Sequence, residues 1–216
     1  MSNNKELELA VLEELSWEPS VDSAHIGVRA NAGIVVLTGH VGSFIEKWSA
    51  ERAALRVKGV KAVAEEIEVR LSSGVTRSDE EIAAAALDRI SWDVSVPHDA
   101  IKVKVEKGWV TLTGKVYWRY QRDFAMQDVR GLRGVVGVTD QITIKPQVNA
   151  SNISDEIMRA LHRSWCFDPK TITVTAHDGK IRLTGTVGYW HFRELAELTA
   201  WAAPGATAVE NDIIVV

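Results

Sequence analysis

Apolar and polar positions along this chain follow one period, change to another, and then begin the same series again. The opening stretch LAVLEELSW puts Leu9, Leu12 and Leu15 at helical spacing, and Ile82, Leu87, Ile90 and Ile153, Ile157, Leu161 repeat that spacing further on. Alternation follows: Ile26, Val28, Ala30, then Val35, Leu37, Gly39, Val41. The same two strands are expected at Ile101, Val103, Val105 with Val110, Leu112, Gly114, Val116, and at Ile172, Val174, Ala176 with Ile181, Leu183, Gly185, Val187. The turns between them, NAG, EKG and HDG, read as short hairpins in which glycine supplies a positive φ. A second helix aligns Ala50, Ala54, Val57, matched by Ala125, Val129, Leu132 and Ala196, Ala200, Ala203. Gly59, Gly134 or Gly205 is expected to cap it before a last strand.

The spacing of landmarks turns this pattern into a repeat. Glycine stands four residues before each Leu-Thr-Gly, at Gly33, Gly108 and Gly179, and the capping glycine falls 22 residues after the same leucine in all three copies. Each copy is predicted to be α-β-β-α-β, which makes the fold class α+β: three tandem small units, each a three-stranded mixed sheet packed against two helices. The expected domains are 1–72, 78–146 and 151–216, separated by polar linkers at SSGVTRSD (72–79) and KPQVNASN (145–152). Ser78 and Glu81 have capping-box spacing at the start of the second copy.

Composition narrows the function classes. A formal net charge of -4, with 46% hydrophobic and 25% charged residues, describes an ordinary globular chain and not a bulk nucleic-acid binder. A lone cysteine, Cys166, excludes an internal disulfide and reads as a small core residue. The amino-terminal stretch lacks a basic region followed by an apolar run, and no segment suits a membrane span, so a cytoplasmic protein is expected.

The residues GIVVLTGHV with GVKAVAEEI, GWVTLTGKV with GVVGVTDQI, and GKIRLTGTV with GATAVENDI resemble the BON domain, named for bacterial osmotically inducible and nodulation proteins. Ala206 departs from a usual valine, and Glu65 from a usual Asn or Asp. The resemblance implies a non-enzymatic protein suggested to bind phospholipid surfaces, hydrophobic ligands or other envelope components, often in osmotic stress. Many such proteins are exported with two copies, whereas this chain shows three copies and no export signal.

Candidate chemistry is sparse. None of the six histidines is answered by histidine in a sister copy, no HExxH, CxxC, GxxxxGK[ST] or GxGxxG motif occurs, and His98-Asp99 and His177-Asp178 fall in predicted turns. No catalytic residue, metal or cofactor is expected. The glycine of Leu-Thr-Gly reads as structural, giving room for a helix or a bulge. One charged position recurs near the start of the second helix: Lys47, Arg122 and Arg193. A salt bridge to a nearby acid is the plainer reading, and help in holding an anion such as a phosphate head group the sharper one.

Aromatics gather at the same place in different registers: Phe44 and Trp48; Tyr117, Trp118 and Tyr120; Tyr189, Trp190 and Phe192. They are expected to pack between units, to contact a ligand or partner beside cations such as Arg119, or to fill local core. Trp17, Trp92 and Trp165, each following a serine, are expected in the core or at hinges. The expected function is a non-catalytic binding or scaffold protein recognising an unknown protein partner or an anionic phospholipid surface in osmotic or envelope stress. The alternative is a soluble carrier of a small apolar or anionic ligand held between units. Nucleic acid is not expected, because the chain is acidic and has no GxxG clamp between helices.

Overall fold

In a computed structural model of the chain, residues 3–145, 153–163 and 171–215 are described. Trp165, Cys166 and most of the linker predicted at 145–152 lie outside the described residues, as does the side chain of Trp190. The elements run α1 (Asn3–Trp17), β1 (Ile26–Asn31), β2 (Ile34–Val41), α2 (Phe44–Arg56) and β3 (Ala62–Val69). They continue with α3 (Asp79–Trp92), β4 (Ile101–Glu106), β5 (Trp109–Val116), α4 (Arg119–Arg130) and β6 (Gly137–Ile144). Last come α5 (Ile153–His162), β7 (Ile172–His177), β8 (Lys180–Val187), α6 (Trp190–Trp201) and β9 (Ala208–Val215). Three sheets result, in the orders β1-β2-β3, β4-β5-β6 and β7-β8-β9. In the first, β1 runs antiparallel to β2 and β3 runs parallel to it, and the third has the same pattern. The fold is the expected α+β class in three repeated α-β-β-α-β copies. By backbone proximity the chain forms two compact units, Met1–Ile90 with Val103–Thr111 and Gln127–Thr139, and Ser91–Lys102 with Leu112–Met126 and Asp140–Val216.

Each central strand sends its alternate residues into a core. Val35, Leu37 and Val41 are buried with Val11, Leu15, Ala50, Ala53, Ala54 and Ile67 in the first copy. Ile181, Leu183 and Val187 are buried with Ile153, Ile157, Leu161, Ala196 and Ala200 in the third. The aligned alanines of the second helix, Ala50 and Ala54, Ala125, and Ala196 and Ala200, are all fully buried.

The first helices correct the expected faces. Leu9 and Leu12 of α1 are exposed, and the buried stripe is Leu7, Val11 and Leu15 at i, i+4, i+8. In α3 the stripe is Ile82, Ala86 and Ile90, leaving Leu87 outside. Both helices carry two apolar stripes, and only the docking rotation on the sheet selects one. Ile153, Ile157 and Leu161 are all buried, as expected. The capping box is formed: Glu81 N–H donates to Ser78 Oγ (3.2 Å) and Ser78 N–H to Glu81 Oε2 (2.9 Å).

The recurring glycines have specific causes. In the hairpins both central residues have positive φ (Ala32 51° and Gly33 87°; Lys107 52° and Gly108 76°; Asp178 50° and Gly179 77°), a type I′ arrangement that suits the strand twist. A Cβ on Gly39, Gly114 or Gly185 would lie 2.0, 2.1 or 1.9 Å from the carbonyl oxygen of His25, Ala100 or Thr171, just before the copy's first strand. Close approach of neighbouring backbone, not of the helix, therefore requires the glycine of Leu-Thr-Gly. The later glycine is displaced from its expected role as well: α2 ends at Arg56 with Val57 as its cap, Val60 N–H donates to Val57 O, and Gly59 (φ 97°) occupies the intervening β-turn.

Candidate functional site

The recurring cation is held by the last strand of its own copy. Lys47 Nζ lies 2.8 Å from Glu65 Oε2 and donates to Ile67 O at 2.6 Å. Arg122 Nε pairs with Asp140. Arg193 donates to the carbonyls of Asn211 (2.6 Å) and Ile213 (3.1 Å), while Asn211 Nδ2 returns a bond to Arg193 O (3.0 Å). The acid or amide also accepts from the backbone two residues on, at Ile67, Ile142 and Ile213. Two sequence landmarks, the cation and the Asn/Asp/Glu position of the last strand, thus form one clamp between the second helix and β3, β6 or β9. The plainer reading of these cations is the one seen at Lys47 and Arg122, and at Arg193 the carbonyl oxygens of Asn211 and Ile213 accept from the guanidinium.

The aromatics divide by surroundings. Trp48 is half-buried, with the guanidiniums of Arg52 and Arg130 over its ring at 4.9 and 4.8 Å. Phe44 and Phe192 are half-buried, and Phe192 meets Tyr189 edge-on (5.7 Å) and His191 at 4.3 Å. Tyr117, Tyr120 and Tyr189 are exposed; Tyr120 meets Phe124 edge-on at 6.4 Å, and Lys145 Nζ lies over the Tyr117 ring at 4.7 Å. Gln121 Oε1 accepts from the N–H groups of Tyr117 and Trp118, fixing the entry to α4.

In the second compact unit, a groove of about 520 Å³ is lined by Trp118, Arg119, Tyr120 and Asp123 from the α4 end and by Leu198, Trp201 and Ala202 from the end of α6. Arg119 lies over Trp201 at 4.6 Å and pairs with Asp123 at 3.2 Å, with Glu197 at 4.0 Å. The indole N–H of Trp201 is buried without an acceptor among the described residues, a condition that costs about 1–3 kcal/mol. The sequence reading missed Trp201 and Leu198. They lie three residues apart on α6, beyond the aromatic cluster that drew attention.

Trp17 and Trp92 overturn the core half of their expectation. They are 85% and 80% exposed, so neither is core, and they end α1 and α3 in corresponding places. Leu9 and Leu12 of α1, Leu87 of α3 and Val94 just after it are exposed as well. Both helices are acidic: α1 carries four glutamates against one lysine, and α3 four acids against one arginine. Glu14 and Glu18 pair with Arg56, which holds Glu18 below its ordinary value, with a further bond from Ser20.

The histidines form no shared centre. His25 and His40 stack at 4.6 Å in the first copy only, and His177 pairs with Asp178 on an exposed turn. Among the described residues no three His, Cys, Asp or Glu side chains cluster to hold a metal, and no helix is long and apolar enough to cross a membrane.

A model of the BON domain matches residues 3–70, 78–146 and 149–216. The chain belongs to the BON-domain family. Each BON copy carries the helix-to-strand clamp at the same two positions, while the aromatics and the groove differ between copies. Osmotically-inducible protein Y of Escherichia coli (strain K12) is 29% identical over 131 residues, spanning 55% of this chain and 65% of that protein, less than two thirds of its length. The C-terminal domain of CdsD, a structural protein of the type III secretion system of Chlamydia trachomatis, is 16% identical over 97% of both chains with a TM-score of 0.27, too low to inform fold or function.

Proposed function

We propose that this BON protein is a non-catalytic binding protein that recognises a protein partner through Trp17 and Trp92. The observation that carries the reading is the exposure of both tryptophans at corresponding ends of α1 and α3. Exposing one indole is a local accident of packing. Exposing two at corresponding helix ends gives a repeated apolar contact of the kind that anchors protein interfaces. The acidic helices favour a partner with a basic rim and disfavour an anionic lipid surface, which would meet like charge. Membership of the BON family and similarity to a protein named as osmotically inducible support a binding role linked to stress.

The test is capture from extracts of osmotically stressed host cells, using wild type, Trp17→Ala/Trp92→Ala and Trp17→Phe/Trp92→Phe, with phospholipid vesicles as a parallel arm. The reading expects proteins lost with the alanine pair, recovered with the phenylalanine pair and weakened by salt. Identical capture by all three, or binding to anionic vesicles with no tryptophan-dependent protein, would overturn it.

A further inference from the structure

We infer that the groove of the second compact unit binds a small alkylated ammonium ion. Its volume of about 520 Å³ falls within the range of small-molecule sites. Three aromatic residues, Trp118, Tyr120 and Trp201, and the aliphatic groups of Leu198 and Ala202 form most of its wall. The wall itself carries one guanidinium, Arg119, and one carboxylate, Asp123; a second carboxylate, Glu197, stands outside the wall 4.0 Å from Arg119, so the charged set around the groove holds one negative charge in surplus. An anion would face that surplus, and a neutral apolar solute would gain nothing from it.

The groove already shows how it treats a cation. Arg119 lies over the ring of Trp201 and pairs with Asp123 and Glu197. Trp118, half-buried, and Tyr120, exposed, supply the aromatic surface for a second cation. Methyl groups on the nitrogen match this wall better than a bare ammonium does, because alkylation weakens hydration and brings apolar surface to the rings. The occupant is a free solute of this chemistry and not a membrane headgroup.

The 216-residue chain titrated with choline at low ionic strength, followed by calorimetry and tryptophan emission, tests this. Its neutral carbon isostere, 3,3-dimethylbutan-1-ol, is the control of equal shape. Choline is expected to bind saturably and at least about fivefold more tightly than the isostere. Tyr120→Ala and Asp123→Asn, checked for folding by circular dichroism, should each weaken choline severalfold. Equal affinity for the two solutes would reduce the site to an apolar groove and overturn the inference. So would absence of saturable choline binding, an unchanged affinity in Tyr120→Ala, or binding to phosphatidylcholine vesicles without binding of free choline.

Discussion

Two sets of recurring residues in this chain have opposite fates. Gly39, Gly114 and Gly185 recur because a carbonyl oxygen stands about 2 Å from where a side chain would begin. Trp17 and Trp92 recur at the same level of regularity and are left in solvent. Repetition within a chain therefore reports a shared demand without saying whether packing or recognition makes it. A glycine answers a backbone that has no room, whereas an exposed tryptophan answers nothing inside its own copy. The first set holds the fold, and the second is free to meet something else.

The contrast can be broken from its structural side first. Gly114→Ala forces Cβ against the Ala100 carbonyl at a φ of 150°, and should cost about 3 kcal/mol or more in chemical unfolding. Leu112→Ala, at a side chain with no exposure, should cost about 2–5 kcal/mol. A loss below about 0.5 kcal/mol for either would show that the recurring strand is not what holds the copy together. The clamp comes next. Asp140→Ala leaves Arg122 without its carboxylate and Ile142 N–H without an acceptor, an expected loss of about 1–2 kcal/mol, moderated because the pair is partly exposed.

On the other side of the comparison, Trp17→Ala and Trp92→Ala should change stability by less than about 0.5 kcal/mol each, measured by the same unfolding curves. A larger loss would return these residues to the fold. The smallest effect is pH-dependent. The N–H and hydroxyl of Ser78 hold Glu81 below its ordinary carboxylate value of 4.5. A lowered folded-state pKa gives stability that is fully present above that ordinary value and is lost as pH falls through the lowered one. The advantage of wild type over Glu81→Gln should accordingly shrink on acidification, and an advantage that grows toward low pH would contradict the capping role.

Much of the fold was legible because the two periods are clear: Val35, Leu37, Val41 and Ile153, Ile157, Leu161 could face only one way. Leu9, Leu12 and Leu87 could not be placed, since α1 and α3 each carry two apolar stripes and tertiary docking chooses between them. The regular spacing of Ser-Trp was visible, but exposure is a property of what lies opposite, which spacing does not encode. The clamp was half legible. Lys47, Arg122 and Arg193 stood out as a set, and Glu65, Asp140 and Asn211 stood out as a motif position, yet only the crossing of helix over strand joins them. The groove was least legible, because Trp201 and Arg119 meet from distant parts of the chain and neither belongs to a repeated pattern.

The most direct measurement is capture of partner proteins by wild type and by Trp17→Ala/Trp92→Ala, at matched and verified stability. The account predicts that the alanine pair folds like wild type and loses a defined set of proteins. A variant that folds equally and captures the same proteins would contradict it.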